Sequence, residues 1–328
     1  MFSVRKDILY LRALQERIEV THKAVILGGG FIGIEFADEL KKAGVEDVTV
    51  VECAEHCLGL AYDQEFCTAM EEHLRQRGVR LETGRRLVAV EGNGVVEGVT
   101  LDDGTLIPAD LVLVGIGASP NTDLASVAGL KLGPTGAIAV DRTLRTSAPD
   151  IFAAGDCAEK TSYFGGEPSS LKLASIACGE GRVAGANLFQ SRRQIPGTLG
   201  AWCTAVGELA LGTAGLTETA ARAKGIDVVA VSSQGINRHP AGMPGAGKLE
   251  VKMVFDRRTG RVLGGQVMGD HATGEIANVI AACIQGGMSA EDLSLFQLGT
   301  HPALTASPLV YALNNLAEMA LVEMERPR

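Results

Sequence analysis

The sequence is poor in aromatic residues and in long apolar runs, and it carries fewer basic than acidic residues. Aromatic residues make up 4% of the chain, which disfavours the stacking surfaces that bind single-stranded nucleic acids. Lys and Arg number 30 against 39 for Asp and Glu, a net charge of −9, and nucleic-acid binding needs a basic face. No apolar run approaches the ~20 residues of a membrane span, and the N-terminal residues lack the apolar core of a signal peptide. We therefore expect neither a nucleic-acid partner nor a membrane partner.

The cysteines also lack the spacings that mark disulfide frameworks or metal sites. There are 7 of them, with no C-x-x-C pair and no zinc pattern, so we interpret them as reduced thiols of a cytoplasmic protein and predict no metal site. Cys53 and Cys57 flank His56, which leaves a metal or redox pair open as an alternative. We favour a plain loop, because these residues directly follow a predicted strand.

A G-x-G-x-x-G motif lies between a predicted strand and a predicted helix. The apolar run 24–27 is typical of a buried parallel strand, and Gly28, Gly30 and Gly33 follow it. Residues 31–42 then have helical periodicity. In the dinucleotide fingerprint the first glycine permits a tight turn, the second lets the pyrophosphate approach the backbone, and the third allows close packing of helix and strand. Free N–H groups at the helix N-terminus then bind the pyrophosphate.

An acidic residue completes the motif at the expected distance. Residues 47–51 predict a second buried strand, and Glu52 stands at its end, about 20 residues after the glycines. Its carboxylate is suited to accept hydrogen bonds from the adenosine ribose and would repel the 2′-phosphate of NADP, so we predict a preference for NAD. The alternative is a glycine-rich turn in another α/β unit. The NAD(H)-binding residues predicted from this motif are Gly28, Gly30, Phe31, Ile32, Gly33 and Glu52.

The residues that follow complete one nucleotide-binding domain, which we place at 23–115. Residues 63–77 predict a helix and residues 79–82 a third strand. The pattern of residues 86–101 then changes to period two, which indicates a β-meander. The apolar segment 110–115 predicts a strand that returns to the parallel sheet.

The next segment predicts a more varied structure. Gly117 lies in a glycine-rich loop and forms either the far wall of the nicotinamide site or a plain exit turn, because ligands bind outside the carboxyl ends of parallel strands. Residues 138–147 predict a strand and a turn, and residues 151–159 predict an apolar strand that runs into Asp156. Residues 172–190 predict a helix dense in small residues.

The remaining third of the chain predicts a separate α+β domain. Its predicted strands are 202–206, 227–232, 248–256 and 262–268, and its predicted helices are 217–225, 274–285 and 309–324. Residues 242–249 nearly form a P-loop, but Leu249 stands where Ser or Thr is needed and a strand-like alternation follows. We therefore exclude an ATPase.

With these motifs the chain resembles the FAD-dependent pyridine nucleotide-disulfide oxidoreductases, in particular the branch of NADH oxidases and coenzyme A-disulfide reductases. Residues 28–37 resemble the family's NAD motif and residues 117–122 its Pro-Asn loop. Residues 154–156 resemble its second flavin motif, and residues 173–177 the segment beside the flavin. The resemblance implies an α/β fold: a Rossmann-type NAD domain with a β-meander, the remnant of an FAD domain, and a C-terminal α+β dimerisation domain.

The resemblance also implies roles for four residues. Glu35 would lie near the nicotinamide, Asp156 would hold the ribityl and phosphate region of FAD, and Ala174 would lie near the isoalloxazine. His301 falls in a segment that resembles the family's His-Pro motif, in which the histidine is an acid/base in the partner's active site. The Glu that orients that histidine is absent at residues 306–307, so a capping or interface role for His301 is the alternative.

The implied domain order is a linker at 1–22, the NAD(H)-binding domain at 23–115, the C-terminal part of an FAD domain at 116–195, and a dimerisation domain at 196–328 that forms a homodimer. The family carries a first G-x-G-x-x-G for FAD and a redox cysteine near its N-terminus, and this sequence has no second such motif. We therefore expect a truncated chain, or half of a split enzyme whose flavin half lies on a second chain.

The implied function is that of the NAD(H)-binding and dimerisation portion of a flavoenzyme with NAD(H) and FAD as its cofactors. In the complete enzyme, hydride passes from NADH to the flavin and on to a disulfide, thiol or oxygen acceptor. The alternative is a non-catalytic nucleotide-binding or interaction module.

Overall fold

A computed structural model describes residues 1–270 and 272–326. The chain divides into two compact units. One combines residues 1–116 with the chain from residue 201 onward, and the other is Gly117–Gly200.

The N-terminal part of the first unit is built on a parallel sheet with strand order β1-β8-β2-β3-β4. Its elements in chain order are β1 (Phe2–Ser3), α1 (Ile8–Ile18), β2 (Lys23–Leu27), α2 (Phe31–Lys42), β3 (Asp47–Glu52), α3 (Gln64–Gln76), β4 (Val79–Thr83), β5 (Leu87–Glu91), β6 (Gly98–Leu101), β7 (Leu106–Pro108) and β8 (Leu111–Val114). Strands β5 to β7 form a separate antiparallel sheet. This confirms the predicted Rossmann-type sheet and its β-meander.

The parallel strands form because their residues are apolar on both faces. In β2 every residue after Lys23 is buried, and in β3 the residues between Asp47 and Glu52 are buried. Helix α1 begins directly after Asp7, because the Asp7 side chain accepts a hydrogen bond from the Tyr10 N–H and caps the helix.

The second unit contains α4 (Asp123–Val127), β9 (Lys160–Thr161), β10 (Pro168–Ser169) and α5 (Ala174–Asn187). The strands predicted at 138–147 and 151–159 are wrong, because these residues form only isolated bridges. Leu144 and Gly155 have positive φ angles of 69° and 82°, and left-handed residues interrupt an extended run. The apolar residues in these segments are nevertheless buried in a small core of their own, which includes Ile138 and Ala153.

The C-terminal part of the first unit is an antiparallel sheet with the order β11-β12-β15-β14-β13. Its elements are β11 (Ala201–Val206), β12 (Leu209–Gly215), α6 (Glu218–Ala223), β13 (Val228–Ile236), β14 (Lys248–Asp256), β15 (Val262–Gly269), α7 (Thr273–Gln285), α8 (Ala290–Ser294), a 3₁₀ turn (Pro308–Val310) and α9 (Ala312–Glu325). Strand β12 and helix α8 were not predicted, and α9 begins after the 3₁₀ turn, later than predicted. Among the described residues, no helix combines the length and apolarity needed to cross a membrane.

The two parts of the first unit share one hydrophobic core. Val206 and Leu211 belong to the same buried cluster as the residues between the Rossmann sheet and its helices, and Trp202 packs against that cluster. The parallel sheet is therefore held against the antiparallel sheet by burial of apolar side chains.

A buried carboxylate joins the same two parts by hydrogen bonds. Asp63, which precedes α3, accepts the N–H groups of Glu218 and Thr219 at 3.1 and 3.0 Å, the amide of Gln266 at 2.6 Å and the ammonium of Lys252 at 3.0 Å. Burial raises the pKa of this carboxyl, but the hydrogen bonds outweigh burial and lower the pKa to about 2. The start of α3 is thereby anchored to α6 and to the C-terminal sheet.

Candidate dinucleotide-binding site

The turn between β2 and α2 can be formed only by glycine at its first position. Gly28 has a φ angle of +101°, and its N–H donates to the Val51 carbonyl at 2.8 Å. A Cβ on Gly28 would lie 2.6 Å from the Gly115 carbonyl oxygen. The turn is therefore tight and passes close to the end of β8, as the fingerprint requires.

The other two glycines differ in what surrounds them. A Cβ on Gly33 would lie 1.8 Å from the Gly28 carbonyl oxygen, whereas a Cβ on Gly30 would meet no atom within 4 Å. Gly33 is thus required by the packing of α2 on the turn. No contact within the protein requires a glycine at position 30, as is expected of a glycine that leaves room for a ligand.

The N-terminus of α2 is open to an anion. Gly30 is its N-cap and supplies no side-chain acceptor, and the first turn holds no acidic residue. The N–H groups of this turn therefore lack an intrahelical partner. Because no carboxylate in this turn offsets the positive end of the helix dipole, that end is suited to a pyrophosphate.

Glu52 is fixed at the edge of this turn by two backbone groups. One oxygen, Oε2, accepts the Gly29 N–H at 2.6 Å, and Oε1 accepts the Ala54 N–H at 2.7 Å. Each carboxylate oxygen can accept a further hydrogen bond. The side chain is therefore held beside the glycines as an acceptor for ribose hydroxyls.

The loop after Glu52 packs back on the glycine turn. The Leu58 N–H donates to the Gly29 carbonyl at 2.9 Å, and the Cys57 N–H donates to the buried carboxylate of Glu71 at 2.8 Å. Burial raises the pKa of the Cys57 thiol to about 12, so this cysteine is a neutral thiol at neutral pH. Cys53 is exposed.

Glu35 lies on α2, just beyond the glycine turn, and contacts the C-terminal sheet. Its Oε1 accepts a hydrogen bond from the hydroxyl of Thr204 at 2.8 Å. Phe31, one turn earlier on the same helix, stacks on Trp202 with ring centroids 6.2 Å apart and planes inclined by 13°. Strand β11 is thus part of the surroundings of the candidate site.

In the second unit, a buried ion pair holds the backbone beside Asp156. The carboxylate oxygen Oε2 of Glu180 accepts the Gly155 N–H at 2.7 Å and the Lys160 ammonium at 2.9 Å. Lys160 also donates to the Gly155 carbonyl, and both charged side chains are almost fully buried. The Asp156 side chain is exposed, and Ala174 is exposed at the N-terminus of α5. Asp156 on a fixed loop, together with an exposed helix N-terminus, fits one wall of a flavin site.

Two family models match most of the chain. The model described as "Pyridine nucleotide-disulphide oxidoreductase" matches residues 6–181, and the one described as its dimerisation domain matches residues 203–309. The chain belongs to the pyridine nucleotide-disulphide oxidoreductase family. This confirms both the resemblance seen in the sequence motifs and the predicted fold class.

Curated and solved members of the family resemble the chain along most of its length. An NAD(P)H coenzyme A polysulfide/persulfide reductase of Pyrococcus horikoshii is 33% identical over 296 residues, which are 90% of this chain and 65% of that protein. An NAD-dependent persulfide reductase structure from A. fulgidus has a TM-score of 0.90 at 31% identity, covering 98% of this chain and 59% of that one. A water-forming NADH oxidase from Lactobacillus brevis bound to NADH has a TM-score of 0.88 at 28% identity, covering 97% and 70%. The chain thus spans less than two thirds of the length of the first two proteins.

The family's His-Pro segment is an exposed turn in this chain. His301 is exposed, and its Nδ1 accepts the Ala303 N–H at 3.2 Å. The His301 carbonyl accepts the N–H groups of Leu304 and Thr305 at 2.9 Å each. These contacts agree with a capping role, while acid/base chemistry at His301 stays a prediction.

Several residues of the candidate sites were not found from the sequence. The contacts of Thr204 and of the Lys160–Glu180 pair join residues distant along the chain, and no local pattern pairs them. Thr204 is buried in β11, although it is the polar residue of an otherwise apolar strand, and no signal in the sequence identifies Glu35 as its partner. Gly117 has a φ angle of +99°, as a tight exit turn requires, and its place at the nicotinamide stays a prediction.

Proposed function

We propose that this chain binds NAD(H) and forms part of an FAD-dependent oxidoreductase in which hydride passes from NADH to the flavin and its electrons then pass on to a disulfide or to oxygen. The observation that carries the proposal is the combination of an open space at Gly30 with a fixed carboxylate at Glu52. The protein's own packing explains the other glycines of the turn, whereas these two features are explained by a dinucleotide.

The proposed binding mode assigns one part of the ligand to each element. The pyrophosphate lies against Gly30 and accepts hydrogen bonds from the N–H groups of Phe31 and Ile32. The adenosine ribose donates its hydroxyls to Glu52, and Glu35 lies near the nicotinamide. Because the Glu52 carboxylate is held by two N–H groups, it stays in place as a negative charge, which disfavours the 2′-phosphate of NADP.

The flavin proposal rests on the second unit. When bound, FAD supplies the two-electron chemistry that links NADH to the final acceptor. The residues of this chain that we assign to it are Asp156, which binds the ribityl and phosphate region, and Ala174, whose small side chain leaves space for the ring. The Lys160–Glu180 pair fixes the backbone from which Asp156 projects. Persulfide reductases and a water-forming NADH oxidase among the relatives support the proposed range of acceptors.

The proposed assembly is a homodimer formed through residues beyond about 196. The match of residues 203–309 to the family's dimerisation domain supports it. We also propose the domain limits expected from the sequence, with NAD(H) bound by 23–115 and flavin contacts in 116–195.

A titration of NADH into the purified chain tests the nucleotide site. We expect Glu52→Gln to raise the NADH dissociation constant roughly tenfold or more, because a hydrogen bond to a charged group is worth about 1.5–3 kcal/mol. The matched control is Glu55→Gln, an exposed carboxylate in the same loop, which we expect to bind like the unchanged protein. Equal affinities for all three proteins would refute the ribose assignment.

A visible absorption spectrum of the same preparation tests the flavin proposal separately. A flavin band that NADH bleaches would support hydride transfer to FAD. A colourless protein that still binds NADH would refute flavin binding by this chain alone and would favour the nucleotide-binding module without turnover.

A further inference from the structure

The glycine-rich loop between β13 and β14 packs against two side chains of opposite charge. A Cβ on Gly245 would overlap with Nη1 of Arg238, and a Cβ on Gly247 would lie 2.7 Å from Oδ2 of Asp270. Gly245 also has a φ angle of +76°, which residues with a side chain rarely adopt. The glycines that make this segment resemble a P-loop are therefore explained by the guanidinium and the carboxylate that lie against them.

The two charged side chains are held by neutral groups and not by each other. The Arg238 guanidinium donates through Nη1 to the Pro244 carbonyl at 3.0 Å. The Asp270 carboxylate accepts the Ala272 N–H at 3.0 Å and the side-chain amide of Asn237. Within the part of the chain that the structure describes, neither charged group forms an ion pair. Both charges are therefore available to a ligand.

The guanidinium and the carboxylate line the same cavity, which has a volume of about 420 Å³. Its remaining walls are formed by Asn237, Gly245, Ala272 and Leu304. Opposite charges that share a cavity without pairing suit a ligand that carries both charges itself, because each charge of the ligand would form a charge-assisted hydrogen bond. A carboxylate and an ammonium on the same carbon atom are the head group of an α-amino acid.

An apolar cavity adjoins this polar cavity and suits the side chain of such a ligand. It has a volume of about 290 Å³, and it shares Asn237, Ala272 and Leu304 with the polar cavity. An engineered apolar cavity of about 150 Å³ binds benzene, so this one has room for a benzyl or an isobutyl group. Its other walls include apolar side chains of β13, β14, α7 and α9, namely Ile236, Leu249, Ile276, Val279 and Leu313.

The charge of Glu275 sets the direction of the ligand. This side chain also lines the apolar cavity, so the carboxylate of a ligand would be repelled there. The polar cavity offers the ligand's carboxylate a cation instead. We propose that the two adjoining cavities bind a free α-amino acid with a large apolar side chain. Its carboxylate lies at Arg238, its ammonium at Asp270 and its side chain in the apolar cavity.

The first test compares phenylalanine with two analogues that each lack one charge. N-acetylphenylalanine has no ammonium and phenylalaninamide has no carboxylate, so they also represent the last and the first residue of a peptide. In calorimetric titrations of the purified chain, we expect phenylalanine to bind about tenfold or more tightly than either analogue, because each analogue loses one hydrogen bond between charged groups. Glycine has the same head group without the apolar side chain, and it should also bind about tenfold or more weakly.

Two variants then assign each charge of the ligand to a residue. Arg238→Gln should weaken phenylalanine binding about tenfold or more and leave phenylalaninamide binding unchanged, because that analogue has no carboxylate. Asp270→Asn should weaken phenylalanine binding by a similar factor and leave N-acetylphenylalanine binding unchanged. The matched control is Arg258→Gln, which removes an exposed arginine from the turn between β14 and β15, and it should bind all three compounds like the unchanged protein.

Three results would overturn the proposal. The first is a phenylalanine titration of the unchanged protein that shows no binding, which needs no variant to fold. The second is an analogue that binds as tightly as phenylalanine, because N-acetylphenylalanine would then indicate a peptide C-terminus and phenylalaninamide a peptide N-terminus. The third is an equal loss of affinity in Arg258→Gln and Arg238→Gln, which would show a general effect of charge. NADH is absent from these titrations, so they stand apart from the test of the NAD(H) site.

Discussion

Gly30→Ala separates the requirements of the ligand from those of the fold. Gly30 has an extended backbone conformation, with φ −74° and ψ −174°, which any residue adopts. An added Cβ would meet no protein atom within 4 Å. The substitution therefore introduces neither backbone strain nor a steric clash within the protein.

The expected change in the free energy of unfolding is small because two effects offset each other. Replacing glycine with alanine reduces the conformational entropy of the unfolded chain and stabilises by about 0.4–1 kcal/mol. Alanine is a poorer N-cap than glycine, which costs roughly 0.5–1 kcal/mol. We therefore expect Gly30→Ala to match the unchanged protein to within about 1 kcal/mol. The methyl group occupies the space assigned to the pyrophosphate, so NADH affinity should fall roughly tenfold or more, about 1.4 kcal/mol of binding free energy.

Two measurements on the same samples give the result. Denaturant unfolding followed by Trp202 fluorescence reports stability, and calorimetric titration with NADH reports affinity. The comparison variant is Gly33→Ala, whose Cβ would lie 1.8 Å from the Gly28 carbonyl oxygen. That overlap forces the turn apart, so we expect a loss of about 3 kcal/mol or more. A stable Gly30→Ala that binds NADH as tightly as the unchanged protein would refute the assignment of the open space to a ligand.

Two further predictions concern buried charges. Asp63→Asn should lower the free energy of unfolding at pH 7 by about 2.4 kcal/mol or more. This value follows from a pKa of about 2 against an ordinary 3.8, at 1.36 kcal/mol per pKa unit. The control is Glu65→Gln, a half-exposed carboxylate that also contacts Lys252, and it should cost less than about 1 kcal/mol. Because the pKa of Asp63 is lowered in the folded protein, this stabilisation is present above about pH 4 and is lost toward pH 2. Urea unfolding across that range should therefore show that the difference in free energy of unfolding between Asp63→Asn and the unchanged protein decreases as the pH falls. A difference that stays constant would contradict the assignment. Lys160→Met should destabilise by about 3–5 kcal/mol because it leaves Glu180 buried without a cation, and adding Glu180→Met should recover much of that loss in the same unfolding assay. Equal stability of the single and double variants would show that the pair is not coupled.

The parts of the fold that could be predicted are those with a strong local pattern. Helix α2 has the predicted bounds, because its apolar spacing begins directly after the glycine turn and its end is marked by Gly44, with a φ angle of +91°. Strands β2 and β3 are buried on both faces, and continuous apolar runs are typical of such strands. The glycine turn and Glu52 could be predicted because the fingerprint specifies both residue type and spacing.

The parts that could not be predicted depend on partners distant in the chain. Strand β12 (Leu209–Gly215) is rich in alanine and glycine, and it is extended because it pairs with β11 on one side and β15 on the other. Conversely, the apolar residues Ile138 and Ile151 predicted strands, but they lie in a segment that turns at Leu144. The tertiary structure overrides local preference in both cases, through strand pairing in the first and through the turn in the second.

Strand β11 lies at the edge of the C-terminal sheet and packs against helix α2. An edge strand exposes a row of unpaired backbone groups and one uncovered face. In this chain the inward face of β11 is covered by helix α2, and Val206 packs in the same core as the Rossmann helices. The glycine turn therefore positions the N-terminus of helix α2, and contacts with the C-terminal sheet position side chains further along the helix. We therefore expect a substitution in β11 to shift side chains of α2 without changing the fingerprint residues, and the sequence motif alone describes only part of the candidate site.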